Sequence, residues 1–299
     1  MSVVDTHVGP TRKLTRKEQR EADSKTRLAS PAASLIAVVI AILWTVPTAG
    51  LLITSFRPES AVRRSGWWTA FANPVFTLDN YVEVLNTSNV ANSFLNSFII
   101  TIPAVIIPIL LALLAAYAFA WIDFKGRDFL FAAVFALQIV PIQVTLIPLL
   151  TQYVNWGLVG TYWTIWLSHT IFGLPLAIFL LHNFMKEIPR SLIEAARVDG
   201  AGHVRVFFQV LLPLLVPAIA SFGIFQFLWV WNDLLVALTF AGPEYSPITR
   251  VIAGLAGSFG SKWYLLAAGA FVSMLVPMIV FFSLQRYFVR GMLAGGVKG

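Results

Sequence analysis

The sequence predicts an all-α, polytopic membrane protein with six transmembrane helices, and three observations carry that prediction. Of its 299 residues, 58% are hydrophobic and only 12% are charged, and the mean hydropathy is +0.78. A water-soluble domain is not composed this way. The apolar residues also come in separate blocks of about 20, the length a helix needs to cross a bilayer at 1.5 Å per residue. Finally, sixteen of the 21 basic residues fall on one side of the layout that these blocks imply and five on the other. Helices are required because water is not available inside the bilayer to satisfy backbone polar groups, and the blocks are too long and too uniformly apolar for barrel strands.

Residues 1–29 form a basic arm with seven Lys and Arg between Arg12 and Arg27. Few apolar residues accompany them, so the arm is expected to be flexible or to lie on anionic lipid. The first span, near 33–55, is too long for a signal-peptide core and is expected to stay in the mature protein. A loop from Phe56 to Ser93 follows. Its Trp67 and Trp68 read either as an interfacial belt or as a contact with a partner beyond the membrane. The remaining spans are placed near 95–121, 129–151, 161–182, 212–236 and 265–287. Basic residues gather in the arm, in the second–third and fourth–fifth loops and at the C-terminal end, so the positive-inside rule puts both termini in the cytoplasm. That topology accounts for the net charge of +7 without nucleic acid. There are no cysteines, which excludes disulfides, thiolate metal sites and a Cys nucleophile.

Between spans four and five lies a charged, glycine-punctuated loop, residues 184–211, with the segment EAARVDGAGHVRVFFQVLLP from Glu194 to Pro213. Ser191 followed by Glu194 has the spacing of a capping box, with Pro189 just upstream, and predicts a short helix beginning near Ser191. Gly200 and Gly202 can end it. Helix resumes near Val204, and the fifth span begins at Leu212 and Pro213, where a missing N–H is tolerated. Ala195 and Ala196 read two ways: as helix formers, or as small side chains that let another surface approach the backbone.

The pattern of Glu194, Ala195, Ala196, Gly200, Val210, Leu212 and Pro213 resembles the EAA motif of permease subunits in binding-protein-dependent ABC importers. Val210 stands where isoleucine is common. The C-terminal stretch from Gln285 to Gly299 and the Trp231, Asn232, Asp233 run resemble the maltose-type carbohydrate permeases, in particular the smaller partner of the pair. The resemblance covers roughly residues 30–299. It implies a type I ABC importer fold, with a transmembrane permease domain over 30–290 and a cytoplasmic tail over 291–299. It further implies a heterodimer with a second permease subunit, two copies of a cytoplasmic ATPase, and an extracytoplasmic sugar-binding protein facing the loop from Ala241 to Tyr264. ATP and Mg²⁺ would be used by the ATPase, with no cofactor bound by this chain. Glu194, Ala195, Ala196 and Gly200 are then implied to form a coupling helix seated on the ATPase, with Arg197 and Asp199 either at its rim or simply solvated. The implied cargo is a carbohydrate, an oligosaccharide, with Ser65 to Thr69 after Arg57 and Pro58 similar to the α-glucoside branch.

Polar groups are costly in hydrocarbon and face the bundle or a wet cavity. Gln138, Gln143, Ser168, His169, Asn232 and Asp233 are therefore candidates for the translocation pathway; interhelical hydrogen bonding is the competing reading. Pro141 and Pro148 free backbone carbonyls that can line such a cavity. An ion-coupled secondary transporter is the alternative, but such proteins place ionisable groups at midplane and show inverted repeats. Neither pattern is evident here. Motifs for a membrane enzyme are lacking too: there is no H-E-x-x-H, no G-x-S-x-G and no G-K-[ST] ending to the glycine-rich stretch from Gly254 to Lys262.

Overall fold

A computed structural model describes residues 31–86, 89–255 and 262–296, with side chains described as far as residue 285. The arm over 1–29, the loop residues 256–261 and the last three residues of the tail lie outside the described residues. The chain divides into two units, residues 1–53 and 54–299. The first contains most of helix α1, Pro31–Ser55, which is apolar on all sides and exposes Leu43, Trp44 and Ile36. A helix with no polar face is suited to lipid rather than water.

In the second unit, α2 (Glu59–Arg64), a 3₁₀ turn (Trp67–Phe71) and α3 (Asp79–Asn86) make a small polar hairpin. The guanidinium of Arg57, 4% exposed, organises it by donating to Ser65 O, Ala61 O, Ser65 Oγ and Thr69 Oγ1. The bundle follows as α4 (Val90–Trp121), α5 (Arg127–Ala136), α6 (Ile142–Asn155), α7 (Tyr162–Glu187), α8 (Arg190–Val198), α9 (His203–Trp231), α10 (Leu235–Phe240), α11 (Ile248–Leu255) and α12 (Trp263–Gly296). No strand occurs among the described residues. Five helices are long and apolar enough to cross a membrane, and the α5–α6 pair, bent by 101°, is long and apolar enough to be a sixth if its two halves are taken as one broken span. The sequence expectation of one continuous third span is corrected here. Proline disfavours helical geometry in the residue before it, and Val140 before Pro141 is extended at φ −73°, ψ 118°.

The principal packing is α4 against α7, with α9 lying across both. Ala104, Ala112, Ala116 and Ala177 are fully buried, and these small side chains bring the helices close in the absence of a hydrophobic drive between them in lipid. Prolines inside the helices leave carbonyls four residues earlier without their usual donor. Three of these carbonyls are satisfied by side chains of other helices. Pro103 releases Ile99 O, which accepts Trp166 Nε1 at 3.0 Å; Pro108 releases Ala104 O, which accepts Gln226 Nε2 at 3.2 Å; Pro277 releases Ser273 O, which accepts Trp231 Nε1 at 3.1 Å. The kinks of these helices are thus also the bonds between them.

Candidate functional site: the loop helix and an intramembrane cavity

The segment between α7 and α9 forms a short helix, as expected, but not by the expected cap. α8 begins at Arg190 with Pro189 as its N-cap, and no side-chain cap bond is made. Ser191 is already inside the first turn, so its hydroxyl cannot occupy the capping position that the Ser191–Glu194 spacing suggested. The C-terminus ends as predicted at Gly200, whose φ of +78° is left-handed. Gly200 N–H donates to Arg197 O at 3.0 Å and Ala201 N–H to Ala196 O at 2.9 Å, the paired bonds of a Schellman motif. Gly202 does not end the helix. Its φ is −72°, and it is the N-cap of α9.

The fifth span does not start at Pro213 either. α9 is helical from His203 and passes through a π-helical stretch, Val206–Leu211, before Leu212. The wider π-turn absorbs the register change that Pro213 imposes, since this residue cannot donate to Gln209 O. The loop helix is therefore separated from the continuous helix of the fifth span only by the short turn at residues 199–202.

One side of α8 is fixed and the other is open. Ile193 is 3% exposed and belongs to the apolar core formed by Ala112, Leu113 and Ala116 of α4, Leu181 of α7 and Leu211 of α9. Ala196 packs partly against the same core. Glu194, Ala195, Arg197, Asp199 and Gly200 are exposed, so of the two alanines Ala195 alone faces fully outward. Leu212 packs against the core and Pro213 is exposed. A further link was not foreseen from sequence. The buried Tyr117 hydroxyl of α4 meets His203 Nδ1 at 2.7 Å, while its ring stands edge-on to Phe207 at 5.4 Å.

The second feature is a cavity of about 620 Å³ behind the bend between α5 and α6. Its wall includes Gln138, Val144 and Thr145 from the broken crossing, Phe172 and Gly173 from α7, and Phe225, Gln226 and Trp229 from α9. Of the six pathway candidates, Gln138 alone lines it; its amide donates to Phe172 O at 3.2 Å. Gln143 is exposed elsewhere on α6. Ser168 is buried and bonded to Tyr153 Oη at 3.0 Å and Thr164 O at 2.6 Å. Asn232 donates to Leu228 O at 2.7 Å, which completes the end of α9.

Asp233 was expected inside the fifth span, but α9 ends at Trp231. Its carboxylate accepts the N–H groups of Val236 and Ala237 at 3.3 and 3.1 Å, so it caps α10. The same carboxylate stands 3.7 Å from Nε2 of His169, whose side chain is 1% exposed. These two candidates are thus brought together, though not at the cavity.

Gln226, like Thr145, is a polar residue of the cavity wall that was not among the sequence candidates. It is fully buried, its amide group donates to Ala104 O and, at 3.4 Å, to His169 O, and its Oε1 has no hydrogen-bond partner. A β-carbon on Gly173 would sit 2.7 Å from that Oε1, so only glycine leaves room for the carboxamide. A lone glutamine in an apolar run is a signal of the same kind as Gln138. What the sequence could not give was its pairing with a carbonyl freed by Pro108.

These features accord with the known proteins that the chain is similar to. The family described as "binding-protein-dependent transport system inner membrane component" matches residues 108–294. The chain is 54% identical to the osmoprotective compounds uptake permease protein GgtD of Synechocystis sp., over 87% of this chain and 90% of that one. It is 51% identical to the alpha-glucoside transport system permease protein AglG of Rhizobium meliloti, over 83% and 67% respectively. Its fold is similar to a chain in the crystal structure of a bacterial ABC transporter importing the acidic polysaccharide alginate, with a TM-score of 0.69 at 20% identity, covering 93% of this chain and all of that one. The long apolar helices, the exposed loop helix and these similarities lead to one assignment: the chain belongs to the binding-protein-dependent transport system inner membrane component family.

Proposed function

We propose that this subunit pairs with a second permease subunit and couples to two cytoplasmic ATPase subunits through α8, with both termini on the same side as α8. The observation that carries the reading is the two-sidedness of α8. Ile193 is locked into the core shared by α4, α7 and α9, while Glu194, Ala195, Arg197 and Asp199 are presented outward on a helix whose end is fixed by Gly200. A helix that grips three spans and exposes a charged face around Ala195 is suited to pass motion from a docked partner into the bundle. Because α9 runs unbroken from His203, displacement of α8 is delivered directly to a span lining the cavity.

The ATPase would supply ATP and Mg²⁺ chemistry, while this chain contributes no catalytic group. The cavity of about 620 Å³ would be its share of the translocation pathway, closed by the second permease, with access alternating as the paired loop helices approach and separate. The relative named for alpha-glucosides supports a carbohydrate of that class as cargo, delivered by an extracytoplasmic binding protein. The ion-coupled alternative would assign the coupling ion to Asp233, but both oxygens of that carboxylate are engaged in capping α10.

The test is to solubilise the tagged protein from its native membrane and identify what accompanies it by mass spectrometry. An ABC ATPase at two copies per permease pair is expected. Glu194→Lys, which reverses an exposed charge without touching Ile193, is expected to leave insertion and the second permease unchanged and to lower ATPase recovery at least several-fold. Undiminished recovery and transport in that variant would remove α8 as the docking element.

A further inference from the structure

Motion delivered to α8 has to pass the turn at residues 199–202 before it reaches α9. A β-carbon at Gly200 or Gly202 would meet nothing within 4 Å, so no neighbouring element packs on the turn at either glycine. The apolar grip comes from Ile193 and Ala196 before the glycines, Ala201 between them, and Val206 and Phe207 after them. Apolar contact is non-directional, and packed helices held by it alone can slide.

One polar contact spans the turn. The Tyr117 side chain of α4 is buried, and its hydroxyl meets His203 Nδ1, in the first turn of α9, at 2.7 Å. The guanidinium of Arg197, in the last turn of α8, lies close enough to the same hydroxyl to interact with it. Arg197 thus stands just before the turn and His203 just after it, and α4 supplies the group that joins them. Their chemistry sets the direction of the bonds. A guanidinium carries donors only, so Arg197 donates to Tyr117 Oη and the phenol proton goes to His203 Nδ1. Among the described residues, no further side-chain hydrogen bond ties α8, the turn or the first turn of α9 to another span.

We infer that Tyr117 is a positioning residue for coupling: its hydroxyl pins both flanks of the glycine turn to α4, so that displacement of α8 is passed to α4 and α9 together. A phenol suits this position because its ring is anchored edge-on to Phe207 in the core while its hydroxyl reaches the polar margin. The inference rests on the reading of α8 as the element that docks the ATPase, and the experiment separates the two.

The complete importer with its ATPase carries Val144→Cys in this subunit, a cavity-wall position that is 63% exposed. The chain has no cysteine of its own, so label found on it reports that position alone. The rate of maleimide labelling is measured with and without a non-hydrolysable ATP analogue, and the ratio of the two rates reads how far nucleotide reaches the cavity. Tyr117→Phe keeps the ring and removes only the hydroxyl. It is expected to leave ATPase recovery as in wild type and to bring the ratio closer to one by about two- to tenfold, the worth of a single hydrogen bond. His203→Leu should do the same and stands in if the tyrosine variant does not assemble. His203→Asn, whose Oδ1 takes the place of Nδ1 as acceptor, should restore the wild-type ratio. Tyr153→Phe removes another buried hydroxyl, the one bonded to Ser168, and should leave the ratio unchanged. A wild-type ratio of one would overturn the docking reading and this inference together. A wild-type response to nucleotide that persists in full in Tyr117→Phe would overturn the inference alone. An equal fall in Tyr153→Phe, or no rescue by His203→Asn, would show the hydroxyl to be packing only and overturn it as well.

Discussion

Gln226 illustrates how a single buried amide can hold three helices. It sits on α9, donates to a carbonyl of α4 and to one of α7, and is accommodated by the missing β-carbon of Gly173. Replacement by leucine keeps the volume but leaves Ala104 O, already deprived of its helical donor by Pro108, without a partner. A buried unsatisfied carbonyl costs about 1–3 kcal/mol. The Gln226→Leu protein is therefore expected to unfold at a lower temperature than wild type in the same detergent, while Gln143→Leu, on an exposed face of α6, should be close to neutral. Equal melting of the two would show that the amide contributes nothing to helix association. The contrast also bears on what the sequence disclosed at this scale. Polar residues in apolar runs could be found by inspection, but their roles could not. Ser168 and Asn232 satisfy backbone groups, Asp233 caps a helix that sequence did not separate from its span, and Gln138 reaches the cavity. Each role depends on which carbonyl lies opposite, and that is fixed by helices distant in sequence.

At the scale of the element, α8 shows which signals are local enough to read. The left-handed Gly200 was legible, because a glycine after a short amphipathic run meets a requirement of the helix end itself. The capping box was not made, because Pro189 sets extended geometry at the N-cap and moves the start of the helix two positions earlier than a Ser191 cap requires. The two glycines give a direct comparison. A β-carbon at either position meets nothing within 4 Å, so any cost of alanine there comes from backbone alone. Gly200, at φ +78°, is expected to pay about 1–2 kcal/mol for left-handed alanine, whereas Gly202, at φ −72°, should lose almost nothing. Hydrogen exchange in the assembled complex reads this out. Gly200→Ala should speed exchange of the α8 amides by about five- to thirtyfold, the same energy expressed as an opening equilibrium, while Gly202→Ala leaves them protected. Similar rates in both variants would mean that the Schellman end does not hold α8 in place. The bend at Pro141 belongs to the same class of local signal, since the proline and its extended neighbour were visible. The angle of 101° was not, because it is set by what packs on either half.

For the whole molecule, six apolar blocks could be counted from length alone, since the bilayer imposes one length on every span. The cavity could not, as it arises from three non-adjacent stretches meeting behind a break. Sidedness lies between the two: it rests on the distribution of basic residues, sixteen against five, and on no packing contact. The absence of cysteine makes the question directly measurable, because any single introduced thiol is the only one in the chain. Val198 is 87% exposed at the end of α8, and Asn73 is exposed after the 3₁₀ turn of the hairpin; these two positions fall on opposite sides if the six-crossing topology is right. In intact cells, a membrane-impermeant maleimide is expected to label Asn73→Cys and to spare Val198→Cys until the membrane is opened. The reverse pattern would invert the topology and place α8 away from any cytoplasmic ATPase. Labelling of both positions in intact cells would mean that the bent α5–α6 pair enters and leaves by the same face instead of crossing, and the pathway would then have to be built from five spans.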